Sequence, residues 1–302
     1  MKVINHQPAV LLATVIFVSL AFYACSNEST ETTFSVGEPV VVSSGYVFTE
    51  GPLWHPDGFL IFSDIPANRI YQWTPGNFEG TVYVEPSGNS NGIKAAPDGS
   101  IIVAQHAGRV SRLTNDLELV PIVEQYEGKR LNSPNDIAVR SDGLIYFTDP
   151  YFGVSAEDRE LDFSGVYRIN QDESVSLMYD GFDLPNGIVF SPDESRLYVN
   201  DSATGDILKF EVTDSGDLNN PVLFVNIGPR AELGGADGMI TDSEGRLYTT
   251  GPNGFIIFDS DGNQLEQIRF DHQITNLAWG GEDGNDLYMT ARGDIYRIGI
   301  TK

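Results

Sequence analysis

Six oxygen-bearing side chains recur in one register along this chain: Glu50, Asn91, Asn135, Asn186, Asp237 and Asn276. Each stands eight positions before the second residue of a turn-like pair, at Gly58, Gly99, Gly143, Glu194, Gly245 and Gly284. An Asn or Asp ahead of Gly is by itself only a turn or cap signal. Six in phase say more, because each unit already has its own turn eight residues later. Gathered in one place, unpaired amides and carboxylates cost several kcal/mol unless something satisfies them. A hard divalent cation is the economical partner. Glu50 and Asp237 balance its charge, and the amide oxygens of Asn135 and Asn186 complete an oxygen set that suits Ca²⁺. Zn²⁺, Mg²⁺ and Mn²⁺ are the alternatives, and no Cys or His cluster favours a thiolate or imidazole site.

A second set follows each turn by six residues: Asp64, Gln105, Asp149, Asn200, Gly251 and Thr290. A hairpin places the end of one strand beside the start of its partner, so both sets are expected to ring one mouth of a channel. Asn91 and Asp149 are then candidates for substrate contact. Asp237 and His106 are the candidate bases for activating a water. His55 lies beside the Asp57-Gly58 turn and His272 in a linking segment, neither placed for chemistry. A serine-esterase order of Ser, His and Asp is not recognisable.

The elements that must position these groups are short strands. Each unit reads as a polar residue, an apolar strand, an Asp-Gly-type turn and a second apolar run such as Ile145-Tyr-Phe147 or Leu197-Tyr-Val199. The turn chemistry predicts a tight primed hairpin. Copies return roughly every 40 to 50 residues, the period of a propeller blade of about four strands. No segment keeps a helical period. The expectation is an all-β, six-bladed β-propeller over residues 39–302. Its ring would be closed by the strand-like Pro39–Phe48 stretch added to the blade of residues 276–300, which removes two sheet edges.

The formal net charge of −25 excludes nucleic acid and anionic lipid as natural partners. An apolar run, Pro8–Ala24, follows one Lys and ends before Cys25, the only cysteine. It reads as a signal peptide over residues 1–25 with a lipoprotein-type Cys25 and a polar tether over 26–38. That predicts an exported periplasmic or cell-envelope lipoprotein, with secretion as the alternative and a lipid anchor as the only membrane contact.

Glu50-Gly-Pro52, Arg130-Leu-Asn-Ser-Pro-Asn-Asp136, Thr148-Asp-Pro150, Leu184-Pro-Asn-Gly187 and Ala236-Asp-Gly-Met239 resemble, in order, the motifs of the SMP-30/gluconolactonase/regucalcin-like family. The resemblance spans roughly residues 45 to 298. It implies a six-bladed propeller with one catalytic divalent ion in its channel, which polarises a lactone carbonyl and activates water. By motif match, Glu50, Asn186 and Asp237 take the family's ligand positions. Asn135 takes one that reaches metal or substrate, and Arg130 stands where some members place a substrate-contacting Arg. The implied substrate is a small sugar lactone, such as gluconolactone, or a related lactone. Phosphotriester hydrolysis at the same ion and a non-catalytic ligand-binding propeller are the rival readings. The Tyr151–Phe163 and Ile227–Gly235 stretches are the expected lining of the channel mouth.

Overall fold

The computed structural model describes residues 1–3 and 34–301. The expected signal peptide, Cys25 and most of the tether therefore lie outside the described residues. Every regular element among those described is a β-strand, and the strands form sheets in a propeller-like arrangement.

Four of the sheets are four-stranded antiparallel meanders in chain order. The first runs Ser90–Ala95, Ile101–Gln105, Arg109–Leu113 and Leu119–Val123. The second begins at Ile137–Val139, the third at Pro185–Phe190 and the fourth at Met239–Thr241. Gln125–Tyr126 and Lys129–Arg130 form a two-stranded sheet, and a seven-stranded sheet takes the rest, in the order Ser35–Val36, Asp286–Thr301, Val40–His55, Phe59–Asp64, Arg69–Trp73 and Thr81–Val84, with Asn276–Gly280 paired to Asp286–Thr301. In it, Val40 faces Arg297 and Ser44 faces Asp294, whereas Leu53 to His55 pair with Phe59 to Ile61. One long strand thus serves two hairpins. Strand pairing also starts before residue 39, since Ser35 and Val36 face Thr301 and Ile300.

The second strand of each hairpin is apolar at nearly every position, not at alternate ones, because both faces are covered. Ile145–Asp149 and Phe59–Asp64 are buried almost throughout. Core clusters join neighbouring sheets: Ile61 and Ile70 with Ile93 and Val103, Tyr146 and Val166 with Ile188 and Leu197. Another lies within the seven-stranded sheet, Leu60, Phe62 and Trp73 packing with Tyr288 and Ile295. Full burial of such side chains stabilises by about 1.5–3 kcal/mol each.

The register of six turns is borne out in the backbone. Gly58, Gly99, Gly143, Gly245 and Gly284 all have positive φ, and so does Glu194 at 56°. The turn type differs from the expected two-residue primed hairpin. The Gly143 N–H bonds Arg140 O at 2.9 Å, and the Arg140 N–H bonds Leu144 O at 2.9 Å. This is a three-residue loop, a type I turn followed by one left-handed residue. Asp142 selects it, because its carboxylate accepts the Leu144 N–H at 3.2 Å.

Deleting residues 34–44 bares the edge of the strand that carries Asp294 to Arg297 and removes Val42 from the Trp73–Tyr288 cluster. The shortened chain is expected to melt on the order of 10 °C lower. Thermal unfolding by circular dichroism checks this, and an unshifted transition would remove the strand's structural role.

Candidate active site

A cavity of about 350 Å³ takes in Glu50, Asn91, Asn135, Asn186 and Asp237 from five successive inner strands or the segments leading into them. His106 also lines it. Local irregularity aims these side chains. The pairing slips between Glu50 and Leu53, between Ser90 and Ile93, and between Pro185 and Ile188. A bulge at each point turns the polar residue out of the sheet and into the cavity.

The glycine after the polar residue serves the neighbour. A Cβ on Gly51 would overlap Asn91 O, and one on Gly187 would overlap Asp237 O. Around these contacts runs a circle of hydrogen bonds. Ser63 Oγ donates to Asn91 O at 2.8 Å, the Gly92 N–H to Asn135 O at 2.7 Å, and Thr148 Oγ1 to Asn186 O at 2.8 Å. Asn200 Nδ2 donates to Asp237 O at 2.6 Å and the Gly238 N–H to Thr275 O at 2.8 Å. Thr275 Oγ1 then donates to Thr49 O at 2.8 Å, beside the starting residue.

The side chains are oriented as firmly as the backbone. Asn276 Oδ1 accepts the Leu277 N–H at 2.8 Å, which turns its Nδ2 onto Glu50 Oε2 at 3.1 Å. The Gly51 N–H donates to the same oxygen at 2.9 Å, and Glu50 also shares a hydrogen bond with the Asp237 carboxylate. Ser202 gives its proton to Ala236 O at 2.5 Å and must therefore accept from Asn186 Nδ2, at 3.0 Å. Asn186 consequently presents Oδ1. Asn91 Nδ2 lies 3.1 Å from His106 Nε2, and Asn91 Oδ1 is buried with no partner among the described residues.

Burial is costly for the acids. Desolvation and then the Asp237 carboxylate raise Glu50 well above the usual range. Desolvation raises Asp237 to about 7, with Arg230 opposing the shift and Asp136 adding to it. Asp136 is a third buried carboxylate, pushed up by burial and countered by Lys94. Burial lowers His106 to about 4, so the imidazole is neutral near pH 7. Among the described residues no group of three His, Cys, Asp or Glu side chains stands ready for a metal. The donor set is instead two carboxylates and two amides, all oxygen donors of the kind that suits a hard divalent cation.

The second polar set does not share this mouth, contrary to the expectation from the hairpins. Asp64, Gln105 and Asp149 hold the chain that leads into their inner strands, and Asn200 belongs to the circle of hydrogen bonds. Asp64 accepts the N–H groups of Val47 at 2.9 Å and Phe48 at 3.1 Å, and Gln105 Nε2 donates to Ser87 O at 2.6 Å. Asp149 is fully buried, with Oδ2 accepting the Asn132 N–H at 2.8 Å, and it does not line the cavity. Nor does Arg130, whose Nη1 donates to Leu131 O at 2.7 Å and Asn132 O at 2.8 Å. Sequence reasoning missed Phe48, Leu184, Ile65 and Ser202 as lining residues. A signal existed: Phe48 and Leu184 each precede a site residue by two, and Ile65, like His106, follows a member of the second set by one. Phe152 and Arg230 come from the two stretches expected to cover the mouth.

Residues 48–293 match the family profile described as SMP-30/gluconolactonase/LRE-like region. The chain belongs to that family. It is 34% identical to a gluconolactonase of Zymomonas mobilis, over 87% of this chain and 82% of the relative. It is 28% identical to the pentonolactonase XacC of Haloferax volcanii, over 84% of each. A solved gluconolactonase from Xanthomonas campestris superposes with a TM-score of 0.79 at 29% identity, covering 87% of this chain and 90% of the other.

Burial also lifts Asp149 to about 7, which has a stability consequence. The folded value lies above the unfolded one, near 3.9. The contribution is thus full below about pH 4 and is lost, at about 1.4 kcal/mol per unit, as pH rises to about 7. Asp149→Asn removes this titration. Denaturant melts across that range are expected to show wild type losing ground to the variant as pH rises; a constant difference would refute the buried neutral carboxyl.

Proposed function

We propose that this chain is a divalent-metal-dependent hydrolase that opens the ring of a small lactone. The observation that carries the reading is the convergence of Glu50, Asn135, Asn186 and Asp237 on one cavity. Gluconolactonase and pentonolactonase relatives at this coverage support the lactone as substrate. The reading includes six blades, with the seven-stranded sheet counted as two and the Val40–Ser44 stretch closing the ring. The circle of hydrogen bonds supports that count, as does the packing of Leu60, Phe62 and Trp73 on Tyr288 and Ile295. It also includes export by the Met1–Cys25 segment and a lipid-modified Cys25, on sequence grounds.

Glu50, Asn135, Asn186 Oδ1 and Asp237 would hold the cation, Ca²⁺ by donor type. A bound divalent ion supplies Lewis-acid polarisation of an ester carbonyl and a lowered pKa for water. The chain's own residues do the rest. Asp237 is the better base for the attacking water, because it lines the cavity as a carboxylate, whereas the ring nitrogen of His106 that faces Asn91 is already engaged. With Asn91 donating to His106 Nε2, the imidazole lone pair is engaged and its proton rests on Nδ1. His106 then positions Asn91, whose free Oδ1 can accept a substrate hydroxyl. Phe48, Ile65 and Leu184 wall the cavity and limit the water that reaches the reacting atoms.

Acid release from a lactone panel, with and without chelator and with a fluorophosphonate alongside, tests the reading. Lactones should react only with metal present. Asp237→Ala is expected to cost on the order of 1,000-fold in rate while the β-sheet spectrum persists; retained turnover would sink the assignment. His106→Ala should cost less than about tenfold, and a loss of about 100-fold or more would transfer the base role to His106.

A further inference from the structure

The lactone-hydrolase reading leaves one charged residue of the cavity without a task. Arg230 is the only Lys or Arg among the described residues lining it. It forms no ion pair or hydrogen bond among the described residues, and its charge acts on Asp237. A divalent cation held by Glu50 and Asp237 would cancel both carboxylates. Asp136 behind them is countered by Lys94, and His106 is neutral. The loaded cavity would therefore carry one uncompensated positive charge, at Arg230.

The loop is shaped to present that side chain. Gly228 and Gly234 have φ of 84° and 108°, and the Ala231 N–H bonds Gly234 O at 2.8 Å in a tight turn. A Cβ on Gly235 would press on Arg230 Cα and Cβ at 3.0 Å, so the missing side chain makes room for the arginine stem. Arg230 thus lines the cavity, as does Phe152.

The geometry points to Arg230 as a specificity residue that selects lactones carrying a carboxylate on the carbon chain over neutral sugar lactones. A planar guanidinium with free N–H groups matches a carboxylate bidentately. The net charge of −25 opposes an anion only at long range, since repulsion is screened beyond about 8 Å at physiological ionic strength. Contact at the mouth decides the outcome. This inference rests on the lactone-hydrolase reading for its substrate but not for its test.

The probes are the γ-lactones of D-gluconate and D-glucarate, which differ at the far carbon, a hydroxymethyl against a carboxylate. In Ca²⁺-loaded protein, wild type should favour glucarolactone. Arg230→Gln should lower the ratio of kcat/KM for glucarolactone to that for gluconolactone by about tenfold or more, and Arg230→Lys should restore part of it. A ratio that holds, both rates falling together, would overturn the inference and make Arg230 a general electrostatic element. If wild type hydrolyses neither lactone, the reaction reading fails, and calorimetry with glucarate and gluconate decides the inference alone. Weaker glucarate binding in Arg230→Gln, relative to gluconate, sustains it; equal binding by both proteins ends it.

Discussion

The closeness of the inner strands to one another is the constraint from which the rest of the structure follows. At Gly51 and Gly187 the backbone of one sheet lies against a carbonyl of the next at a distance no side chain would tolerate. Each such carbonyl accepts a hydrogen bond from its neighbour, and the sequence of contacts comes back to Thr49. The polar residue beside each glycine then has nowhere to go but inward. Site and scaffold are therefore one arrangement, in which a methyl group added to the scaffold displaces a residue of the cavity.

That arrangement puts Glu50, Asp136 and Asp237 at nearly complete burial. Carboxylates so placed cost several kcal/mol each unless paired. Hydrogen bonds from Gly51 and Asn276 offset part of the cost at Glu50, and Arg230 and Lys94 offset part at the other two. The remainder is stored as a raised proton affinity, which a proposed cation would relieve by displacing protons. The affinity of such a site is therefore coupled to pH by the same burial that builds it.

The turn register and the inward residues were legible in the sequence, because both depend on local chemistry repeated in phase. Gly143 marks a left-handed position wherever it occurs, and Glu194 was placed correctly by spacing although it is not glycine. The turn type was not legible, since Asp142 supports a longer loop than Asp-Gly alone suggests. The second polar set was misplaced for a tertiary reason. Asp64 and Asp149 sit where the preceding loop brings unpaired N–H groups within reach, and nothing local announces that loop. Arg130 is similar, its guanidinium taken up by carbonyls one and two residues ahead. The loop bearing Arg230 was found as a stretch, but the residue within it that reaches the cavity depends on a turn only coordinates reveal.

The pairing of Val40–Ser44 with residues 294–297 joins two parts of one sheet that lie far apart in the chain; Thr49 and Asp294, linked at the same seam, are 245 positions apart. Contacts of such separation are among the slowest to form. A nascent chain on the ribosome must hold its early strand unpartnered until residues 294–297 have been made. Through that interval most of its sheets can be built while one sticky edge stays open.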